Sequence, residues 1–252
     1  MSLPLVKYVL LAALRDRLVL SMVVILFVGT SLAIFLGNSA VIEKNYFAVI
    51  FAAAGLRFMS VVGLVLFVVF FVRRSFEGKD IEYFLSRPIG RLKMLFSYAA
   101  AFSILAVFMG AAVGFAVYGV SPNLYGDGHQ LWIASIIVEN IIMVNTALFF
   151  SMYISSSATA SLVTFSFYTL ARMMGQLLGI TDSSMVDNTG VYAMALQLVS
   201  AITPRLDLMG QTSWLIYGVD NNLVMLDVFI QGAAFSFLVL MAASLDLVRR
   251  QF

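Results

Sequence analysis

Cysteine is absent, histidine occurs once, as His129, and only 11% of the side chains are charged. The first absence removes disulfides, thiolate nucleophiles and Cys-ligated metals together. With a single histidine, a metal site needs an all-carboxylate donor set, and the 13 Asp and Glu form no visible cluster. A formal net charge of +2 is too small for a nucleic-acid footprint. No G-x-x-x-x-G-K-[ST] run occurs either. That loop cradles nucleotide phosphates, so this chain does not hydrolyse ATP by that route. Hydrocarbon fills the space instead: 62% of residues are hydrophobic and the mean hydropathy is +1.00. So much apolar surface cannot be hidden inside a water-soluble fold of this length, and the expected solvent is a bilayer.

A helix crossing the ~30 Å hydrocarbon core needs about 20 mostly apolar residues. The run from Leu3 to Leu36 is too long for one span and is interrupted by Arg15-Asp16-Arg17. It therefore divides into an interfacial helix over 3–14 and a span over 18–36. Further spans are expected at 50–72, 95–120, 131–154, 158–178 and 223–247. Residues 191–219 are apolar but broken at Thr203-Pro204-Arg205 and Asp207. Neither piece is long enough to cross, so they read as an outer re-entrant segment of two short helices. The fold class is an all-α polytopic membrane protein, with residues 1–252 as a single transmembrane domain of six spans.

Basic residues orient the spans. With the N-terminus inside, Lys7, Arg15, Arg17, Arg73, Arg74, Lys79, Arg87, Arg91, Lys93, Arg249 and Arg250 are cytoplasmic, while Lys44, Arg57, Arg172 and Arg205 are not. That imbalance places both termini in the cytoplasm. Tyr46, Tyr118, Tyr125, Trp132, Trp214 and Tyr217 then fall near the outer interface, where amphipathic rings prefer to sit.

The segment over 73–93 is the most charged in the chain and is longer than a turn requires. Ser75 is placed to cap a short helix, acids lie in its early turns, and Pro88 biases Arg87 out of helical geometry. Glu77, Asp80, Ile81 and Phe84 share one face by spacing, giving a surface suited to a groove on a soluble partner. A solvated connector obeying the positive-inside rule is the plainer alternative. Glu82, Leu85, Ser86, Pro88, Ile89 and Arg91 match E-x-x-L-S-x-P-I-x-R, and in this the chain resembles ABC-2-type (type V) permeases, the membrane subunits of ATP-binding cassette transporters. The interfacial helix, the run "ALFFSMYISSSATASLVTFSFYTLARMMG" and "ITPRLDLMGQTSWLIYG" extend the resemblance over nearly the whole chain. One departure is the Lys that often follows the terminal Arg, for which Lys93 is the nearest counterpart.

The resemblance implies that 73–93 forms a coupling helix on an ATPase, through Glu77, Asp80, Ile81, Glu82, Phe84, Arg87 and Arg91. It further implies two ATPase subunits holding ATP and Mg on separate chains, and a second permease copy or a relative. The setting it implies is a bacterial inner membrane and an exporter or lipid translocator. No cofactor on this chain, no catalytic residue and no nucleic acid are expected.

Three charges fall inside spans. Arg57, Glu139 and Arg172 come out at matching depths, roughly 6 to 12 Å below the outer boundary at 1.5 Å per residue. Burying an ion there costs about 2.5 to 3.5 kcal/mol on insertion scales, so pairing is expected. Glu139 is assigned to Arg172, with Arg57 or Asp227 as further neighbours. The alternatives are a polar lining, with Asn140, for an anionic or zwitterionic substrate, or a structural ion pair with Arg57 snorkelling outward. Gly110 and Gly114 form a G-x-x-x-G face, available to any helix or to a dimer seam. His129 reads as solvated in an outer turn. Two other function classes were weighed: an intramembrane lipid-modifying enzyme, which lacks a convergent catalytic set, and an ion-coupled secondary transporter, which lacks an inverted repeat.

Overall fold

The computed structural model describes residues 2–15, 17–39, 43–78, 90–122, 126–182, 191–219 and 225–249, and every element among them is helical. The order is α1 (Leu3–Arg15), α2 (Arg17–Ser39), α3 (Lys44–Glu77), α4 (Arg91–Val120), α5 (Asp127–Tyr153) and α6 (Ser157–Asp182). There follow α7 (Val191–Ile202), a 3-10 turn (Leu206–Leu208), α8 (Trp214–Tyr217) and α9 (Met225–Arg249). Five of these, α2, α3, α4, α5 and α9, are long and apolar enough to cross a membrane. The expected fifth span, α6, has 26 residues and therefore the length. Its Ser, Thr, Arg172 and Gln176 side chains make it less apolar than the other five.

Helix α5 is the hub. It packs against α3, α4, α6, α8 and α9, and 72% of its most apolar stretch is buried, against 11% for α2. That contrast puts α2 at the rim, resting on α3. Between membrane helices there is little hydrophobic drive, so close van der Waals contact decides the seams. On α4, a Cβ added at Gly110 would stand 2.6 Å from Ile137 Cγ1, and one at Gly114 would stand 2.7 Å from Ile133 Cγ1. The G-x-x-x-G face is thus filled by α5 of the same chain, the first of its two expected uses.

At the other end of α4, Phe71 meets Tyr98 and Phe102 edge-on with ring centroids 5.9 and 5.8 Å apart, and Phe67 meets Phe102 at 6.1 Å. Each such pair adds about 0.5–1.5 kcal/mol beyond burial. These rings fasten α3 to α4 close to the charged segment. Helix α1, thirteen residues long, buries Leu5, Val6, Val9 and Ala13 and packs on α4 and α2. Its start is tied down by the Ser2 amide, which donates to Ser97 Oγ at 2.8 Å.

The boundary of the charged segment differs from expectation. Ser75 caps nothing: it is buried inside α3 and donates to the Phe71 carbonyl at 3.0 Å. The helix continues to Glu77 and closes at Gly78, whose amide donates to Arg74 O at 2.8 Å. Glu77 is therefore the last residue of a long helix rather than the first turn of a short one, and Arg91 opens α4. Asp80, Ile81, Glu82, Phe84 and Arg87 lie outside the described residues.

Candidate functional site

The intramembrane charges converge on one carboxylate. Glu139, on α5, is fully buried, and its Oε2 lies 3.3 Å from Arg57 Nε of α3 and 3.9 Å from Arg172 Nη1 of α6. Its Oε1 accepts a 2.9 Å hydrogen bond from the Tyr168 hydroxyl. Tyr168 and Arg172 are four residues apart on α6 and so share a face, which is why both reach the same acid. A buried charge is tolerated when it is paired and hydrogen-bonded; here Oε1 is hydrogen-bonded and Oε2 is held by the two ion pairs alone.

Arg57 pairs with Glu139 more closely than Arg172 does, the reverse of the expected order, and it does not snorkel. It is only 9% exposed, and its Nη1 donates to the Gly210 carbonyl. Arg172 Nη1 donates to the carbonyls of Leu206 and, at 2.7 Å, Met209. Both guanidinium groups thus grip the main chain of the segment over 206–210, using fixed N–H forks that suit carbonyl and carboxylate oxygens alike. A third tie comes from Gly210 N, which donates to Ser135 Oγ of α5 at 3.0 Å. Gly210 has φ +58°, and a Cβ there would stand 2.9 Å from Ile136 Cδ1 and 3.1 Å from Arg57 Nη1. Both the left-handed backbone and the close approach call for glycine.

Beside this knot the segment carries its own ion pair. Arg205 Nη2 and Nε donate to Asp207 Oδ2 at 2.8 Å and Oδ1 at 3.0 Å, a bidentate arrangement. The hydrogen bonds to Asp207 raise the Arg205 guanidinium further above its usual range.

A cleft of about 590 Å³ opens between α3 and α6, with residues 210–213 along its edge. Arg57, Phe58, Tyr168, Thr169, Arg172 and Gln211 line it, together with neighbours on the same elements. Glu139 and Asn140 do not reach its surface: both are fully buried. Asn140 instead bridges helices, its Oδ1 accepting from Ser60 Oγ of α3 at 3.3 Å, while its Nδ2 has no hydrogen-bond partner among the described residues. His129, expected in water, is buried at 4% exposure inside α5, with its ring edge-on to Tyr118 at 6.2 Å. Tyr168, Ser135 and the carbonyls of 206–210 were missed from the sequence. Only Tyr168 left a signal there, its spacing from Arg172.

Of the residues assigned to an ATPase contact, Glu77 is exposed and Arg91 half-exposed at the ends of α3 and α4. No known protein family matches the chain, and no curated protein matches it.

Proposed function

We propose that the chain is the membrane-spanning permease subunit of an ABC-2-type transporter, with six spans once α6 is counted, moving an amphiphile outward or between leaflets. Two ATPase subunits on separate chains would hold ATP and Mg. A second permease copy or a relative would complete the pathway, and both termini would lie in the cytoplasm of a bacterial inner membrane. One observation carries this reading: α3 is unbroken for 34 residues, with the charged segment following one end and Arg57 far toward the other. At 1.5 Å per residue the helix is roughly 50 Å long, some 20 Å more than the hydrocarbon core. The twenty residues from Arg57 to Glu77 cover about 30 Å.

A partner pressing on 79–89 would move that rod as a unit, since the Phe71, Tyr98 and Phe102 rings join it to α4. Motion of Arg57 would shift the carbonyl grip on Gly210 and so the edge of the cleft. Side chains in well-packed seams have discrete arrangements, which suits a two-position lever. The resemblance carried by Glu82, Leu85, Ser86, Pro88, Ile89 and Arg91 supplies the partner's class.

The test is coproduction with any phosphate-loop ATPase found encoded beside the gene. The two proteins should copurify, and the double change Glu82→Ala with Arg91→Ala should abolish copurification while leaving the permease's thermal unfolding unchanged. Failure of any such ATPase to associate with the intact chain in membranes would sink the reading.

A further inference from the structure

Two cavities flank the same turns of α3. One is the cleft beside Arg57 and Arg172. The other is a groove of about 380 Å³ between α2 and α3, lined by Val24, Val28 and Leu32 on one side and Phe51, Gly55 and Met59 on the other. Phe58 lines the cleft and Met59 the groove, and both are exposed. Adjacent on α3, they join polar cleft to apolar groove.

Charge favours an anion at the polar end. Arg57, Arg172 and Arg205 face Glu139 and Asp207, leaving one surplus positive charge among the groups of the knot. The Arg172 side chain is 23% exposed, and its bonds to Leu206, Met209 and Glu139 all use Nη1. Since a guanidinium carries five N–H donors, its other edge has capacity for an oxyanion. Thr169, Gln211, Thr212 and Ser213, which also line the cleft, add polar atoms beside it.

We infer that this surface binds one anionic amphiphile, its phosphate against Arg57 and Arg172 and an acyl chain laid past Phe58 into the α2–α3 groove at Met59 and Val24, toward the bilayer centre. The site goes beyond the transport reading and does not depend on it, because binding is read on the full chain without an ATPase. An apolar groove facing the bilayer is filled by hydrocarbon, and the surplus charge selects which lipid supplies it.

Native mass spectrometry of the detergent-solubilised chain, titrated with dioleoylphosphatidylglycerol or dioleoylphosphatidylcholine, tests this. One phosphatidylglycerol should be retained about tenfold more tightly than phosphatidylcholine. Arg172→Gln should erase that preference. Because Arg172 also holds the segment over 206–210, a second variant leaves the charges alone: Gly55 lines the groove and a Cβ there meets nothing within 4 Å, so Gly55→Leu extends a side chain from an open position into the groove. It should weaken phosphatidylglycerol about tenfold with an unchanged melting temperature. Equal retention of the two lipids, or indifference to Gly55→Leu, overturns the inference. So does displacement of the lipid by millimolar inorganic phosphate or glycerol 3-phosphate, which would mean that the cleft holds a free anion and the groove holds nothing.

Discussion

Glu139 is one negative charge shared by two guanidinium groups and a phenol, so its loss is felt on three helices at once. Glu139→Gln leaves Arg57 and Arg172 short of the acid they share, and breaking a buried pair in this way typically destabilises by about 3–5 kcal/mol. A fall in the detergent unfolding midpoint should report it. Adding Arg57→Gln to that variant should recover part of the loss, a coupling that a double-mutant cycle measures. Strictly additive effects would show that the 3.3 Å contact carries no energy. At Gly210 the expectation rests on backbone geometry: alanine at φ +58°, pressed against Ile136 and Arg57, should cost about 1–3 kcal/mol by the same readout. The charges were legible from the sequence because helical rise sets depth, and three ions at one depth in an apolar medium have strong reason to meet. Their order was not. Which arginine sits nearer depends on helix rotation, and the carbonyls that hold both belong to a segment whose path no periodicity encodes. His129 was misjudged for a related reason: it lies just inside α5, and helix starts are the least certain boundary to read.

Seams between helices follow the same logic on a larger unit. Gly110 and Gly114 let α4 approach α5 until Ile137 and Ile133 touch its backbone cylinder. Gly110→Leu should therefore force the pair apart, lowering stability by about 1–3 kcal/mol, with Ile137→Ala in the same chain restoring much of it. No rescue, or loss of an oligomer without loss of monomer stability, would return the face to a role between subunits. The long helices were readable from runs of apolar residues; of the two short helices expected around Pro204, the first is α7, while the second is reduced to a 3-10 turn and the four-residue α8. What failed was the end of α3. Ser75 has the chemistry of a cap, yet a serine inside a helix can equally donate back to the carbonyl four residues earlier, and here it does.

For the molecule as a whole, the natural lack of cysteine makes topology directly measurable. Single substitutions can be labelled with a membrane-impermeant thiol reagent with no background to remove. The proposed orientation predicts that Tyr217→Cys, 85% exposed, reacts in intact cells, whereas Lys93→Cys reacts only after permeabilisation. Reaction of both from one side would break the proposed path of the chain. Five of the six expected spans are long and apolar enough to cross a membrane; the remaining one, α6, is less apolar because Tyr168, Thr169 and Arg172 line the cleft.

The grip of Arg57 and Arg172 on main-chain oxygens has a consequence for how this protein changes over time. A handhold made of peptide carbonyls is indifferent to which side chains the held residues carry, provided Gly210 stays and Leu206 and Met209 remain apolar anchors. Gln211, Thr212 and Ser213 can then be rewritten while the rim stays fastened in place, so the lining of the cleft and the architecture are free to evolve separately.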